Sequence, residues 1–411
     1  MQANTKAVSI FNLTVVVAAL GYFVDIYDLL LFGIIRIPSL KDMGLSAEQI
    51  TTDGEAILSW QMTGLMIGGI LWGVLGDKKG RSSVLFGSIL IYSLGNIANG
   101  FVQTVEQYKW IRLLTGIGLA GELGAGITLV AELLPKNKRG IGTSIVAGFG
   151  ILGAVVAFFI KEHFHWRTCY FIGGGLGLVL LLLRVSVLES GMFQHMKEKK
   201  VSRGNILMLV NNWDRFKRYL QSILIGVPTW LVIGILITFS KEFAKHFGIV
   251  GDVDPGKAIM YAYVGLAVGD VGIGFVSQWL KSRKKALYIF YGMTALCMVL
   301  YFMLLWNSTP AMMYLLCSLL GFAGGFWAIF VTIGAEQFGT NLRATAATTI
   351  PNMVRGTVPF VIALFQFLRE LPGMDYIQGA IYTCVIIMVI CSLAVLTSKE
   401  TFHKDLNYEE E

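Results

Sequence analysis

The chain has 411 residues, of which 55% are hydrophobic and 14% charged, and its mean hydropathy of +0.66 excludes an ordinary soluble protein, where charged residues make up about a quarter. The formal net charge of +7 does not point to nucleic acid, because the basic residues are scattered among short loops instead of forming a stripe with aromatics. All five cysteines lie in apolar segments and the five histidines lack ligand spacing, which argues against a disulfide framework, a metal centre or a cofactor site.

The first apolar run, about 9–36, is too long for a secretory signal and lacks a small-residue cleavage pattern, so it reads as a membrane helix. Eleven more follow at about 55–76, 83–103, 108–134, 140–161, 166–188, 219–246, 257–280, 286–306, 311–335, 343–369 and 376–398, each long enough for a bilayer that needs roughly 20 residues. The expected fold is therefore an all-α membrane protein of twelve transmembrane helices. Alternate loops are basic (Lys78, Lys79, Arg81; Lys136, Lys138, Arg139; Lys197 to Arg218; Lys281 to Lys285), which places both termini and the long central loop in the cytoplasm. Such short loops and tails fit a bacterial inner-membrane protein and leave no room for a soluble catalytic domain.

Charges inside the spans each cost about 2.5–3.5 kcal/mol at a helix centre, so each needs a partner, a cavity or a task. In the first helix Asp25 and Asp28, three residues apart and separated by Tyr27, share a face and form a candidate proton-binding pair. The fourth helix, Arg112-Leu-Leu-Thr-Gly116-Ile-Gly118-Leu-Ala-Gly121-Glu122, is rich in small residues that permit close packing. It leaves Glu122 facing protein or cavity and Arg112 as a partner for Asp25 or Asp28. In the eleventh helix Arg355, near Asn352, has the forked donor geometry that grips a carboxylate; otherwise it serves as counter-ion to an acid such as Asp270. Trp230 and Trp327 are candidate cavity walls.

An internal repeat divides the chain. Ala131-Glu132-Leu-Leu-Pro-Lys-Asn-Lys-Arg139 returns 204 residues later as Ala335-Glu336-Gln-Phe-Gly-Thr-Asn-Leu-Arg343, Gly121 aligns with Gly325, and upstream Gly73 and Asp77 align with Gly274 and Gln278 at an offset of 201. The expected organisation is a six-helix bundle at 1–188, a central loop at 189–218 and a second six-helix bundle at 219–411. The substrate site is expected at mid-membrane between the bundles.

The turn Gly73-Val-Leu-Gly-Asp77-Lys-Lys-Gly80-Arg81, between two membrane helices, resembles the loop signature of the major facilitator superfamily, and the resemblance spans almost the whole chain. Asp77, Gly80, Arg81, Glu132, Arg139, Glu336 and Arg343 then become candidate gating residues, with Arg139 pairing Glu132 and Arg343 pairing Glu336. Within that superfamily "RLLTGIGLAGELGAGITLVAELLPKNKRG" and "EQFGTNLRATAATTIPNMVRG" are similar to the metabolite-proton symporter, aromatic-acid symporter and organic-anion transporter branches. There an arginine at the position of Arg355 binds the anion. The fifth helix lacks the glycine-proline-glycine motif of drug-proton antiporters, which favours import. The resemblance implies a monomeric, proton-coupled secondary transporter for a small organic anion, with no enzymatic activity. The alternative is uptake of a neutral or zwitterionic metabolite, such as a sugar, amino acid or osmolyte, with Arg355 as a structural counter-ion.

Overall fold

The computed structural model describes residues 13–79, 81–122, 136–189, 206–402 and 410, and their side chains except at 13–15, 76–79, 81–83, 136–148, 186–189, 340, 341 and 344. Among these residues every regular element is helical. The helices are α1 (Leu13–Asp42), α2 (Ala47–Lys79), α3 (Arg81–Asn99), α4 (Val105–Leu119), α5 (Lys136–His163) and α6 (Trp166–Glu189). After a 3-10 turn at Ile206–Leu209 come α7 (Trp213–Leu231), α8 (Ser240–His246), α9 (Pro255–Leu280), α10 (Arg283–Leu304), α11 (Pro310–Ala323), α12 (Trp327–Glu336), α13 (Thr340–Arg355), α14 (Val358–Arg369) and α15 (Tyr376–Thr397). Nine stretches among the described residues are long and apolar enough to cross a membrane, and Val84–Asn99 is a shorter apolar helix.

Polar residues set the helix starts. Asn212 accepts the amides of Asp214 and Arg215, Ser282 that of Lys285 and Thr309 that of Met312, while Asp375 and Gln378 form a reciprocal capping box. The Asn212 cap starts the seventh span at Trp213, ahead of the expected 219, and the span is not one regular helix. Beyond Pro228 it widens into a π-helical turn at Val232–Ile237 before continuing as α8. The tenth and eleventh spans are also broken: α11 stops before Gly324-Gly325-Phe326, and α13 stops at Gly356-Thr357 because Pro359 lacks an amide hydrogen and follows directly. Hydropathy alone reads through such interruptions.

Two helical bundles result, with α1 against α5 and α6 and α2 against α4 in one, α9 against α11 and α15 against α7 and α14 in the other. The repeat is visible in backbone contacts. A Cβ added to Gly64 or Gly68 of α2 would collide with the carbonyls of Leu113 and Ile117; one added to Gly265 or Gly269 of α9 would collide with those of Ser318 and Phe322. The glycines are 201 residues apart and the carbonyls 205, so before the α11–α12 break the register runs one residue beyond the 204 read from the downstream motif. Between the bundles, α2 lies on α13 and α14, and α9 on α1 and α5. One end of the assembly carries the turns at 43–46, 247–254 and 370–375 and is here called the far end. The tail end carries the 206–212 stretch and residues 398–402.

A central arginine between two bundles and a braced far end

The break after Arg355 places this side chain at the last turn of α13, where α13 faces the other bundle. Its guanidinium is buried and sits 5.7 Å from the ring centroid of Trp230 and 5.8 Å from that of Trp327, whose own centroids are 6.3 Å apart. Two indoles thus bracket a cation, an arrangement worth about 0.5–2 kcal/mol. Arg355 Nη2 lies 3.9 Å from Asp25 Oδ2 of α1, beyond hydrogen-bonding distance, and its Nε and Nη1 donors have no hydrogen-bond partner. The acid facing Arg355 is therefore Asp25, and Asp270 is engaged elsewhere: its Oδ1 accepts the Ala328 amide at 3.0 Å. Asn352, one turn before Arg355, donates to the Ala120 carbonyl at 2.8 Å and so ties α13 to the end of α4.

Asp25 and Asp28 are both fully buried, but they address different partners. Three residues along a helix leave about 60° between side chains, enough to turn Asp28 back into its own bundle. Arg112 donates to the Asp28 carbonyl at 3.3 Å, with its guanidinium 5.6 Å from the ring of Tyr170. The Asn96 amide lies beside the Asp28 carboxylate without hydrogen-bond geometry. Tyr27 also turns inward, donating to the Cys169 carbonyl on α6 at 2.8 Å, so it is part of the first bundle's packing and not of the aromatic bracket. Glu122 forms a two-point ion pair with Arg184 of α6, one contact being 3.0 Å from Nη1 to Oε2, against Gly21 of α1. The sequence reading had named no partner for Glu122; Arg184, near the end of the sixth span, is that partner.

The far end holds three ion pairs between bundles that carry no motif. Arg36 of α1 donates to Glu242 of α8 at 2.7 and 2.9 Å; Glu55 of α2 accepts from Arg369 of α14 at 2.6 and 2.9 Å and from Gln366 at 2.7 Å; Lys161 of α5 reaches Asp254, the cap of α9, at 2.6 Å. Arg36 and Glu55 are almost fully buried. A crevice of about 370 Å3 at this end, lined by Lys41, Asp42, Lys161, His165 and Trp166 among others, is set apart from the Arg355 cluster.

At the tail end, the absence of a side chain at Gly73 lets α2 approach Thr349 of α13, to which an added Cβ would lie 3.2 Å away. The side chains of Asp77, Gly80, Arg81, Glu132 and Arg139 lie outside the described residues. Glu336 pairs with Arg283 at 3.4 Å and accepts from Thr401 at 2.6 Å, in place of the expected Arg343, which donates to the Phe338 carbonyl at 3.3 Å. The C-terminal tail covers this corner. Burial works against the Glu400 charge, but the Ser282 hydroxyl and the Phe402, Arg283 and Lys284 amides hold its carboxyl below the usual range. Glu410 is likewise held low, against partial burial, by Arg218 at 2.8 and 2.9 Å and by the Gly339 amide.

Residues 13–363 match the sequence model of the Major Facilitator Superfamily. A Haemophilus influenzae protein named by inference as a metabolite transport protein is 26% identical, with 92% of this chain and 93% of that protein covered. The niacin transporter NiaP of Acinetobacter baylyi is 24% identical over 95% of this chain and 94% of its own. The xylose transporter XylE from E. coli, in a partially occluded inward open conformation, shares the fold with a TM-score of 0.71 at 18% identity, covering 97% of this chain and 99% of that one.

Proposed function

Because the chain belongs to the Major Facilitator Superfamily and is a multi-pass membrane transporter, not an enzyme, we propose that its task is proton-coupled uptake of a small organic anion by alternating access. The observation that carries this reading is Arg355: a buried guanidinium with two donors unclaimed, set between two indoles where the bundles meet, and loosely faced by one carboxylate. A planar ring carboxylate matches both features, its oxygens on the fork and its ring between the indoles. The relative named for niacin, a pyridine carboxylate, is consistent with that chemistry.

Coupling follows from competition. Ionised Asp25 draws on the same guanidinium that the substrate carboxylate needs; a proton on Asp25 releases the fork to the substrate. One proton then accompanies one monoanion, and the loaded carrier gains no net charge. Asp28 with Arg112, and Glu122 with Arg184, form the charge network behind Asp25 and serve the same proton path. The basic loops put the tail end, with both termini, in the cytoplasm of a bacterial inner membrane. On that orientation the far-end ion pairs close the outer gate, while Asp77, Gly80, Arg81, Glu132, Arg139, Glu336 and Arg343 belong to the inner one. The carrier acts as a monomer, with one bundle at 1–188, a central loop at 189–218 and the other bundle at 219–411.

The Asp25–Arg355 contact also favours a second reading, in which Arg355 merely balances Asp25 and the substrate is neutral or zwitterionic. Counterflow in proteoliposomes separates the two. Nicotinate, benzoate and short mono- and dicarboxylates should exchange, and nicotinamide, betaine and xylose should not. Exchange of a neutral compound with none of the carboxylates would overturn the anion reading.

A further inference from the structure

The second bundle contains a buried acid that competition for Arg355 does not use. Asp270 follows Gly269 on α9, at the point where α9 and α11 touch backbone to backbone. Two small-residue pairs, Gly265 with Gly269 and Gly321 with Gly325, permit that approach, and a Cβ on Gly325 would lie 2.8 Å from the Asp270 nitrogen. The contact delivers the Asp270 side chain to the break between α11 and α12. There α12 starts after Phe326 with no side-chain cap of its own, although a helix start leaves four amides without intrahelical partners. Asp270 supplies the missing acceptor from a different helix, taking the Ala328 amide at 3.0 Å with the Trp327 amide beside it.

We propose that Asp270 is a second proton-binding group, and that its ionised form caps α12 and so holds Trp327 in place against Arg355. Uptake of one proton from water removes the charge from this cap, and with it the charge-assisted hydrogen bond and the favourable interaction with the helix N-terminus. Trp327 is the first residue of α12, and its indole forms half of the bracket around Arg355. Protonation in the second bundle is thereby transmitted to the binding site through a shift of one helix start.

The electrostatic surroundings favour that role. Tyr22 on α1 and Tyr263 on α9 are within electrostatic reach of Asp270, and of Asp25 and Arg355 as well. The sequence from Ala286 to Ala335, which includes all of α11 and nearly all of α10 and α12, contains no Asp, Glu, Lys, Arg or His. Residues 149–160 of α5 and the π turn are likewise uncharged, and the charges of α8 (Lys241, Glu242, Lys245 and His246) belong to the far end. No cation offsets the Asp270 carboxylate at ion-pair distance among the described residues, so the two amides are what hold its charge.

The inference rests on reading Arg355 as the substrate's arginine, and its test has an arm that needs no substrate. Hydrogen exchange of the purified full-length protein, followed in overlapping peptides across 326–336 and corrected for intrinsic pH effects, reads the cap directly. Protection at 327 and 328 should fall about tenfold or more from pH 8 to pH 5, the scale of losing a hydrogen bond to a charged group. Asp270→Asn keeps an acceptor oxygen but cannot ionise, so its protection should be pH-independent; Asp270→Glu should restore the dependence. Equal protection of the wild type at both pH values, or an unchanged dependence in Asp270→Asn, overturns the proposal. In the second arm the ratio of nicotinate affinities at pH 5 and pH 8 should change by about threefold or more in Asp270→Asn. An unchanged ratio overturns the link to Arg355. If nicotinate and benzoate bind the wild type at neither pH, the anion reading falls, and the exchange arm still decides Asp270.

Discussion

The pair between Glu55 and Arg369 should be a measurable part of the far-end closure. Glu55 is 1% exposed and Arg369 15%, so the carboxylate is desolvated while the guanidinium retains some water. Two charge-assisted hydrogen bonds, at 2.6 and 2.9 Å, contribute about 1.5–3 kcal/mol each; in Glu55→Gln neutral counterparts retain about 0.5–1.5 kcal/mol each. The difference is about 2–3 kcal/mol, or roughly 30- to 150-fold in the population open at the far end. A buried reporter reads that population. With the five native cysteines replaced, a cysteine at Ile259, which is buried where α9 meets Gly33 of α1, reacts with a thiol reagent only when the bundles part. In detergent the labelling rate of Glu55→Gln should exceed that of the parent by about 30-fold or more. Glu55→Gln combined with Arg369→Gln should label no faster than the single variant, because it leaves no unpaired buried charge. A rate within about twofold of the parent would show that this pair does not hold the gate.

Arg355→Lys replaces a fork by a point charge and should weaken carboxylate binding, measured by calorimetry, by about 30-fold or more; affinity within about threefold of wild type would make the arginine structural. Asp25→Asn should bind nicotinate with less pH dependence than wild type and should exchange it while failing to concentrate it against an imposed pH gradient. Uphill uptake at the wild-type level would remove Asp25 from the coupling. Glu410 titrates below the usual carboxylate range when folded, so its contribution to stability is complete above the unfolded value of about 4.3 and disappears as pH falls through the lower folded value. The melting temperatures of wild type and Glu410→Gln should accordingly differ at pH 7 and converge below about pH 4; a gap that persists in acid would rule out the ion pair with Arg218 as its source.

Much of the central site was legible because charge in an apolar span is conspicuous. Arg355, Asp25, Asp28, Arg112 and Glu122 all stood out on that ground, and four of them are fully or almost fully buried at helix contacts between elements distant in sequence. Their pairings were not legible. Asp25 with Arg355, Glu122 with Arg184 and Glu55 with Arg369 are separated by 330, 62 and 314 residues, and no local pattern links partners at such range. Arg36 and Glu55 carried a usable signal, since both lie within or beside apolar runs, but one reads as a loop-edge charge until its helix is seen to continue to Asp42. The helix breaks were hidden for another reason. Gly324-Gly325 resembles the many packing glycines of this chain, and only the acid of a neighbouring helix decides that this pair ends one helix and starts the next.

The π turn in the seventh span has a mechanical implication. Its amides reach back five residues, as the Thr238 amide does to the Ile233 carbonyl at 3.1 Å, so the turn holds one residue more than an α-helical turn would. Trp230, beside the central arginine, lies just before it, and Glu242, which grips Arg36, lies just after it. Removing one residue from 232–237 would tighten the turn and swing α8 through about 100° relative to α7, carrying Glu242 away from its partner while leaving Trp230 where it is. The wide turn is thus a phase adjuster, giving one membrane span two faces whose angular positions were set separately.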